Sequence, residues 1–381
     1  MKRIDLFVLP LMVVLGLRSP GQLVPPPHVS PLIVHEWGTI TTRHAPDGTP
    51  EGRLNRISPS EVLPEFVHHY EPPSTQNIPQ NALIKTPFTP GRPDVTMRLE
   101  TPVIYFYPAA GSELPPFDVS VRFRGGIVNE FYPVGEASVA VDLNRVASKM
   151  QAGLINSRWD GDVLDNYVVG SLLWTGLLLK NSVSAPHTSS HVWLAPRQVK
   201  STGVLAPSGE GEQYLFYRGV AHLDALFQTE LGNTDVRLRA PQRLLWMSAP
   251  AMTVENVWLV DIRPNGTAAF RQQKGIRIAK SAASQDVVRV SLFGDGEYAR
   301  DGLGRLRSSM KEALIAGGLF EDEAEAMLET WEDSYFRTPG LRLFYLVPRE
   351  WVNYFLPLQV SVPHELTRVL VGRIDLLRGP R

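Results

Sequence analysis

A chain of 381 residues is long enough to bury a large core, and 43% hydrophobic with 20% charged residues is the composition of a globular protein. A formal charge of −1 supplies no basic field, which excludes nucleic acid and anionic membrane surfaces as expected partners. Cysteine is absent, so disulfides, thiolate nucleophiles, zinc–cysteine clusters and a lipid-bearing lipobox are excluded as well.

In chain order, residues 1–19 read as a signal peptide. Lys2 and Arg3 form a basic start, and Leu6 to Leu17 form an apolar run too short to span a bilayer. Asp5 and the lack of a small-x-small cleavage site depart from that pattern. Residues 20–30, "PGQLVPPPHVS", read as a proline-rich linker. The expected localisation is therefore exported, periplasmic or extracellular, with no transmembrane segment.

The 32 prolines, where average usage gives roughly 19, and the 30 glycines predict many short strands joined by turns. Residues 31–42, "PLIVHEWGTITT", alternate as a strand. Residues 43–94 read as a long loop, with one short helix near "SPSEVLPEFVHHY", where Ser58, Pro59 and Glu61 stand in capping-box order. The runs "VTMRLETPVIYFYP", "FDVSVRFRGGIVNEFYP", "GSLLWTGLLLK", "HVWLAPRQV" and "EQYLFYRGV" predict strands, with a bulge or bend at Gly125–Gly126. "VENVWLVDIRPNGTAAFRQ" predicts a hairpin turning at Pro264–Asn265–Gly266. From residue 301 the period changes. Leu303, Leu306, Met310 and Leu314 form a helical stripe ended by Gly317–Gly318, and "FEDEAEAMLETWEDSYF" opens a second helix. The expected fold is α+β and predominantly β. An antiparallel β-sandwich-like body over 31–300 is followed over 301–381 by a helical hairpin and terminal strands packed on it.

The candidate chemistry starts from "HEWGT". It shares two letters with the zincin motif H-E-x-x-H, but Thr39 stands where the second histidine is needed and the stretch is a strand. Alternation puts Glu36 on one face with Leu32, Val34 and Ile40, and His35 and Trp37 on the other. A carboxylate on an apolar face has to be paired, hydrogen-bonded or protonated. Its structural explanation would be an arginine such as Arg98 or Arg124. Glu100 and Glu130 stand in similar apolar strands. Paired carboxylates are the requirement of glycoside cleavage, which makes Glu36, Glu100 and Glu130 the catalytic candidates. Carboxylates with an imidazole can also hold a divalent metal, for which His35, Glu36 and Glu130 are the candidate ligands. Trp37, Tyr105 and Tyr132 are candidates for a sugar-stacking wall, and Arg218 for an anion or carboxylate partner. His187 and His191 are too far apart on extended chain to share a metal, and the Asp160, Asp162 and Asp165 turn lacks the glycine and glutamate of an EF-hand loop. Phosphate-binding loops and a G-x-S-x-G elbow are absent from the sequence.

The strings "VHEWGTITT", "RLETPVIYFY", "NEFYP", "LFYRGV" and "LETWEDSYF…LRLFYLVP" together resemble an uncharacterised group of bacterial exported proteins carrying a VHEWGT-type motif. The resemblance spans most of the chain from residue 31 onward. It implies a single unit and transfers no reaction. Two functions compete: a hydrolase-like or metal-binding protein built on the His/Glu cluster, and a non-catalytic cell-envelope binding protein that takes a partner, small molecule or glycan through the 43–94 loop.

Overall fold

The computed structural model describes residues 31–54, 62–70, 95–141, 168–240, 252–278 and 286–378. The signal peptide, the linker, the Ser58–Glu61 capping sequence and the Asp160–Asp165 turn lie outside these residues.

The first strands are β1 (Leu32–His44), β2 (His68–His69), β3 (Met97–Pro108), β4 (Phe117–Arg124), β5 (Gly126–Tyr132) and β6 (Glu136–Val141). Then follow β7 (Val168–Lys180), β8 (Gly203–Leu205), β9 (Gly211–Glu212), β10 (Leu215–Ala221), β11 (Gln228–Leu231) and β12 (Asp235–Arg239). The last are β13 (Met252–Ile262), β14 (Ala268–Ile278), β15 (Asp286–Ser291), β16 (Gly340–Leu346), β17 (Leu358–Val360) and β18 (Glu365–Leu376). Three helices matter here: α1 (Gly302–Ala316), α2 (Glu321–Thr330) and α3 (Arg349–Phe355).

The central sheet has nine strands in the order β14-β13-β16-β18-β1-β3-β10-β5-β2. Its pairs are antiparallel except β1 with β18, which run parallel. One face carries Leu32, Val34 and Ile40 against Phe117, Val119, Val121 and Phe123 of β4 and Leu172 and Trp174 of β7. This is a sandwich of two sheets whose alternating inner residues make the core. The other face carries Trp37, Val103 and Phe216 against Leu306, Met310, Leu314 and Met327 of the helical hairpin. The fold is thus α+β and predominantly β, with a helical layer near the C-terminus.

Local sequence explains these elements. In β4 the buried and less buried positions alternate along the strand, the pattern of a sheet with one wet face. Gly125, at φ +82°, lets the chain leave β4 and enter β5 in the other sheet. The hairpin β13–β14 turns at Gly266 (φ +80°), where the Asn265 side chain accepts hydrogen bonds from the amide and hydroxyl of Thr267. Helix α1 ends at Ala316, and the chain turns away through Gly317 and Gly318, the latter at φ +110°.

Three expectations are corrected. "HVWLAPRQV" is not a strand: His191–Leu194 is one helical turn, followed by a 3₁₀ turn at Pro196–Gln198. Within the expected long loop, β1 continues to His44, and the described residues 62–70 form turns and the short β2. Finally, β16 and β18 are not added to the outside of a finished body. They stand between β13 and β1 in the middle of the sheet.

Candidate functional site

Alternation along β1 divides its polar residues between the two layers. Glu36, fully buried, points into the sandwich core. There Arg368 Nε donates to its Oε2 at 2.6 Å, and the Tyr217 hydroxyl donates to its Oε1 at 2.5 Å. Arg368 also donates to the Leu356 carbonyl at 2.6 Å. Burial pushes the Tyr217 phenol well above its usual range, and the neighbouring Glu36 carboxylate adds to this. His35, on the opposite face, bonds through Nδ1 to Glu323 Oε2 at 2.8 Å, and the Tyr107 hydroxyl donates to the other oxygen of that carboxylate, also at 2.8 Å. Burial and then Glu323 push the Tyr107 phenol upward.

The other two acids are also met by arginines. Arg98 pairs with Glu100 at 2.8 Å, and Arg218 Nη1 reaches Glu130 Oε2 at 3.4 Å. His69, exposed at the sheet edge with its side chain 60% accessible, approaches the other Glu130 oxygen at 3.5 Å. Each of the three expected catalytic carboxylates therefore lies against its own guanidinium. The anticipated partners of Glu36 are occupied elsewhere: Arg98 holds Glu100, and Arg124 lies over the Tyr354 ring.

The sheet holds these residues through a line of irregularities. Register shifts occur between Trp37 and Thr39 on β1, between Phe216 and Gly219 on β10 against β3, and between Arg218 and Gly219 on β10 against β5. At this level Thr101 adopts φ +47°, rare for a β-branched residue. A Cβ on Gly38 would sit 2.9 Å from Pro102 Cα, so the close approach of β1 and β3 requires glycine there. Bulges re-aim side chains, and here they accompany Glu100, Arg218 and Glu130 on adjacent strands.

The expected metal set does not assemble. His35 and Glu36 point to opposite faces, Glu130 lies three strands away from β1, and no group of three or more ligating side chains stands together among the described residues. Nor do the expected stacking residues form a sugar-facing wall. Trp37 and Tyr105 are fully buried with ring centroids 6.1 Å apart, and Tyr132 is packed by Phe66 and Trp193. They are core.

Two buried acids escaped the sequence reading. Glu323 looked like an ordinary first-turn acid, although its place three residues after Phe320 fits the cap bond it makes to the Phe320 amide at 2.7 Å. Glu212 opens the predicted strand "EQYLFYRGV". It is fully buried and held by Arg197, the Trp193 indole and the Gln213 amide. No local pattern signals it.

A cleft of about 790 Å³ opens beside the end of β16, lined among others by Thr253, Lys274, Ala316, Arg349, Leu366 and Arg368. No helix among the described residues is long and apolar enough to cross a membrane.

No family model matches the chain, and no curated protein does. Among solved structures, the Mu homology domain of Fcho1 from Danio rerio with bound Eps15 peptide is similar over 92% of this chain and 96% of that one. The identity is 8% and the TM-score 0.29.

Proposed function

We propose that this is an exported, non-catalytic binding protein of the cell envelope. Its site is the sheet edge where the 43–94 loop meets β5, and its ligand is a partner or glycan. The observation that carries this reading is the pairing of every candidate acid with an arginine. A carboxylate held by a guanidinium is a poor general acid, and the two-carboxylate mechanism needs one protonated and one free.

The loop supports the same reading. Phe66 packs 5.1 Å from the Tyr132 ring, and His68 bonds to Glu210 at 2.8 Å, which anchors the loop on the β5 edge. His69 stays exposed beside Glu130. Behind Glu130, Arg218 is buried and holds that carboxylate from the core side of the strand.

The test is binding of the full chain to peptidoglycan sacculi and to a glycan array, with reducing-end release measured in parallel. Binding without release is expected. His69→Ala should weaken it by about tenfold, roughly 1.4 kcal/mol, with the melting temperature unchanged. Release of reducing ends that disappears in Glu130→Gln would establish a glycosidase instead. Undiminished binding by His69→Ala would move the site elsewhere.

A further inference from the structure

Strand β16 leaves the central sheet early. Its final pairings are Leu346 with Val371 of β18 and Tyr345 with Val257 of β13. Both neighbours continue beyond it: β18 begins at Glu365 and β13 at Met252. The chain turns off through Pro348 into α3, and the 790 Å³ cleft lies in the strand-wide gap left behind.

The open edge of that gap is main chain. The Val347 amide donates to the Leu370 carbonyl at 2.9 Å, so the backbone of Leu370 faces the lane of β16. Strand alternation then turns the peptide groups of Arg368 and Leu366 the same way. Two observations agree. Arg368 is 7% exposed as a residue while its side chain is 1% exposed, so what it presents to the cleft is backbone. Arg349 donates a guanidinium hydrogen bond to the Leu366 carbonyl at 3.2 Å, taking an acceptor that a neighbouring strand would otherwise use. Glu36 and the Leu356 carbonyl hold the Arg368 guanidinium beneath the sheet, where it cannot fold over this edge.

We propose that this gap is a docking site for an extended peptide segment of a partner protein, which adds as a short strand beside Leu366–Arg368 in the lane that β16 vacates. A peptide is favoured over other ligands by the edge itself, whose alternating N–H and C=O groups match another backbone. It is also favoured by a lining that mixes Lys274 and Arg349 with Glu255 and Glu350, which suits a dipolar main chain better than a polyanion. The site is separate from the His69 edge and does not rest on the binding function assigned there.

The experiment screens the full chain against an immobilised library of random octapeptides. Binding is expected on the order of micromolar, with affinity lost about tenfold when either alternating set of amides of the best peptide is N-methylated, because the vacated lane has β18 on one side and β13 on the other. Ala316→Trp, at an exposed position lining the cleft, should block the gap and lower affinity at least about tenfold without shifting the melting temperature. Thr253→Trp, also exposed and on the opposite wall, is the second blocking variant should the first fold poorly. The proposal is overturned by a library without binders tighter than millimolar, by binding insensitive to both tryptophans, or by binding insensitive to both methylation patterns. None of these outcomes bears on glycan binding at His69.

Discussion

Glu36 and Arg368 are each completed by the other, so a change at one is felt at both. Glu36→Gln leaves a guanidinium buried without its counter-charge and is expected to cost about 3–5 kcal/mol. The double variant Glu36→Leu/Arg368→Met removes both charges and keeps most of the volume, and should recover most of that loss. Urea midpoints of the two single variants and the double measure this; additive losses would refute the coupling. His44 sets a pH response. Its ring is buried, Nδ1 lies 2.7 Å from the Thr229 hydroxyl, and burial lowers its pKa from 6.5 to about 4. Above pH 6.5 neither folded nor unfolded chain carries the proton. Between about 6.5 and about 4 the unfolded chain takes a proton that the folded one refuses, so stability falls as the pH falls and levels off below. His44→Gln should flatten that part of the urea-stability profile relative to the native protein, and an unchanged slope would exclude His44 as its source. At this scale the sequence was half legible. The isolated acid in an apolar strand identified Glu36 as needing a partner, but the partner lies 332 residues away, and local pattern carries no information over that distance.

Among the connecting elements, the turn between β4 and β5 carries the largest structural burden, because it passes the chain from one sheet to the other. Gly125 has φ +82°, and a Cβ there would come within 2.5 Å of the Leu223 side chain. Gly111 has nearly the same φ, +78°, with open space around it. Gly111→Ala should therefore lose only the backbone strain, of order 1–3 kcal/mol, while Gly125→Ala loses that and the Leu223 contact as well. Equal melting temperatures for the two variants would refute the steric part. Elements with a strong period were legible: the Phe117–Phe123 strand alternates as read, the hairpin turns at Asn265–Gly266, and of the Leu303, Leu306, Met310 and Leu314 stripe all but the partly buried Leu303 are buried. "HVWLAPRQV" failed because its apolar run has two interpretations. Pro196 cannot donate to a ladder, and Val192 and Trp193 are buried from a helical turn instead.

For the whole molecule, composition and turn frequency led to an α+β, mainly β chain with a late helical hairpin, and this is the class observed. The strand order was beyond reach. Nothing in "RVLVGRIDLL" distinguishes a closing edge strand from the one that lies between β16 and β1, because a fully buried strand reads as a plain apolar run whichever strands flank it. The same limit applied to the site. Residue types and faces could be read from β1, β3 and β5, whereas the arginines that neutralise their acids depend on register between distant segments.

The position of β18 also bears on biosynthesis. Strand β18 fits between the segment nearest the beginning of the described chain and one from the final third, so the central sheet cannot close until β18 has been synthesised. Until then the exposed edges of β1 and β16 are open to pairing with any other chain, and a holding chaperone during synthesis would protect the yield of native protein.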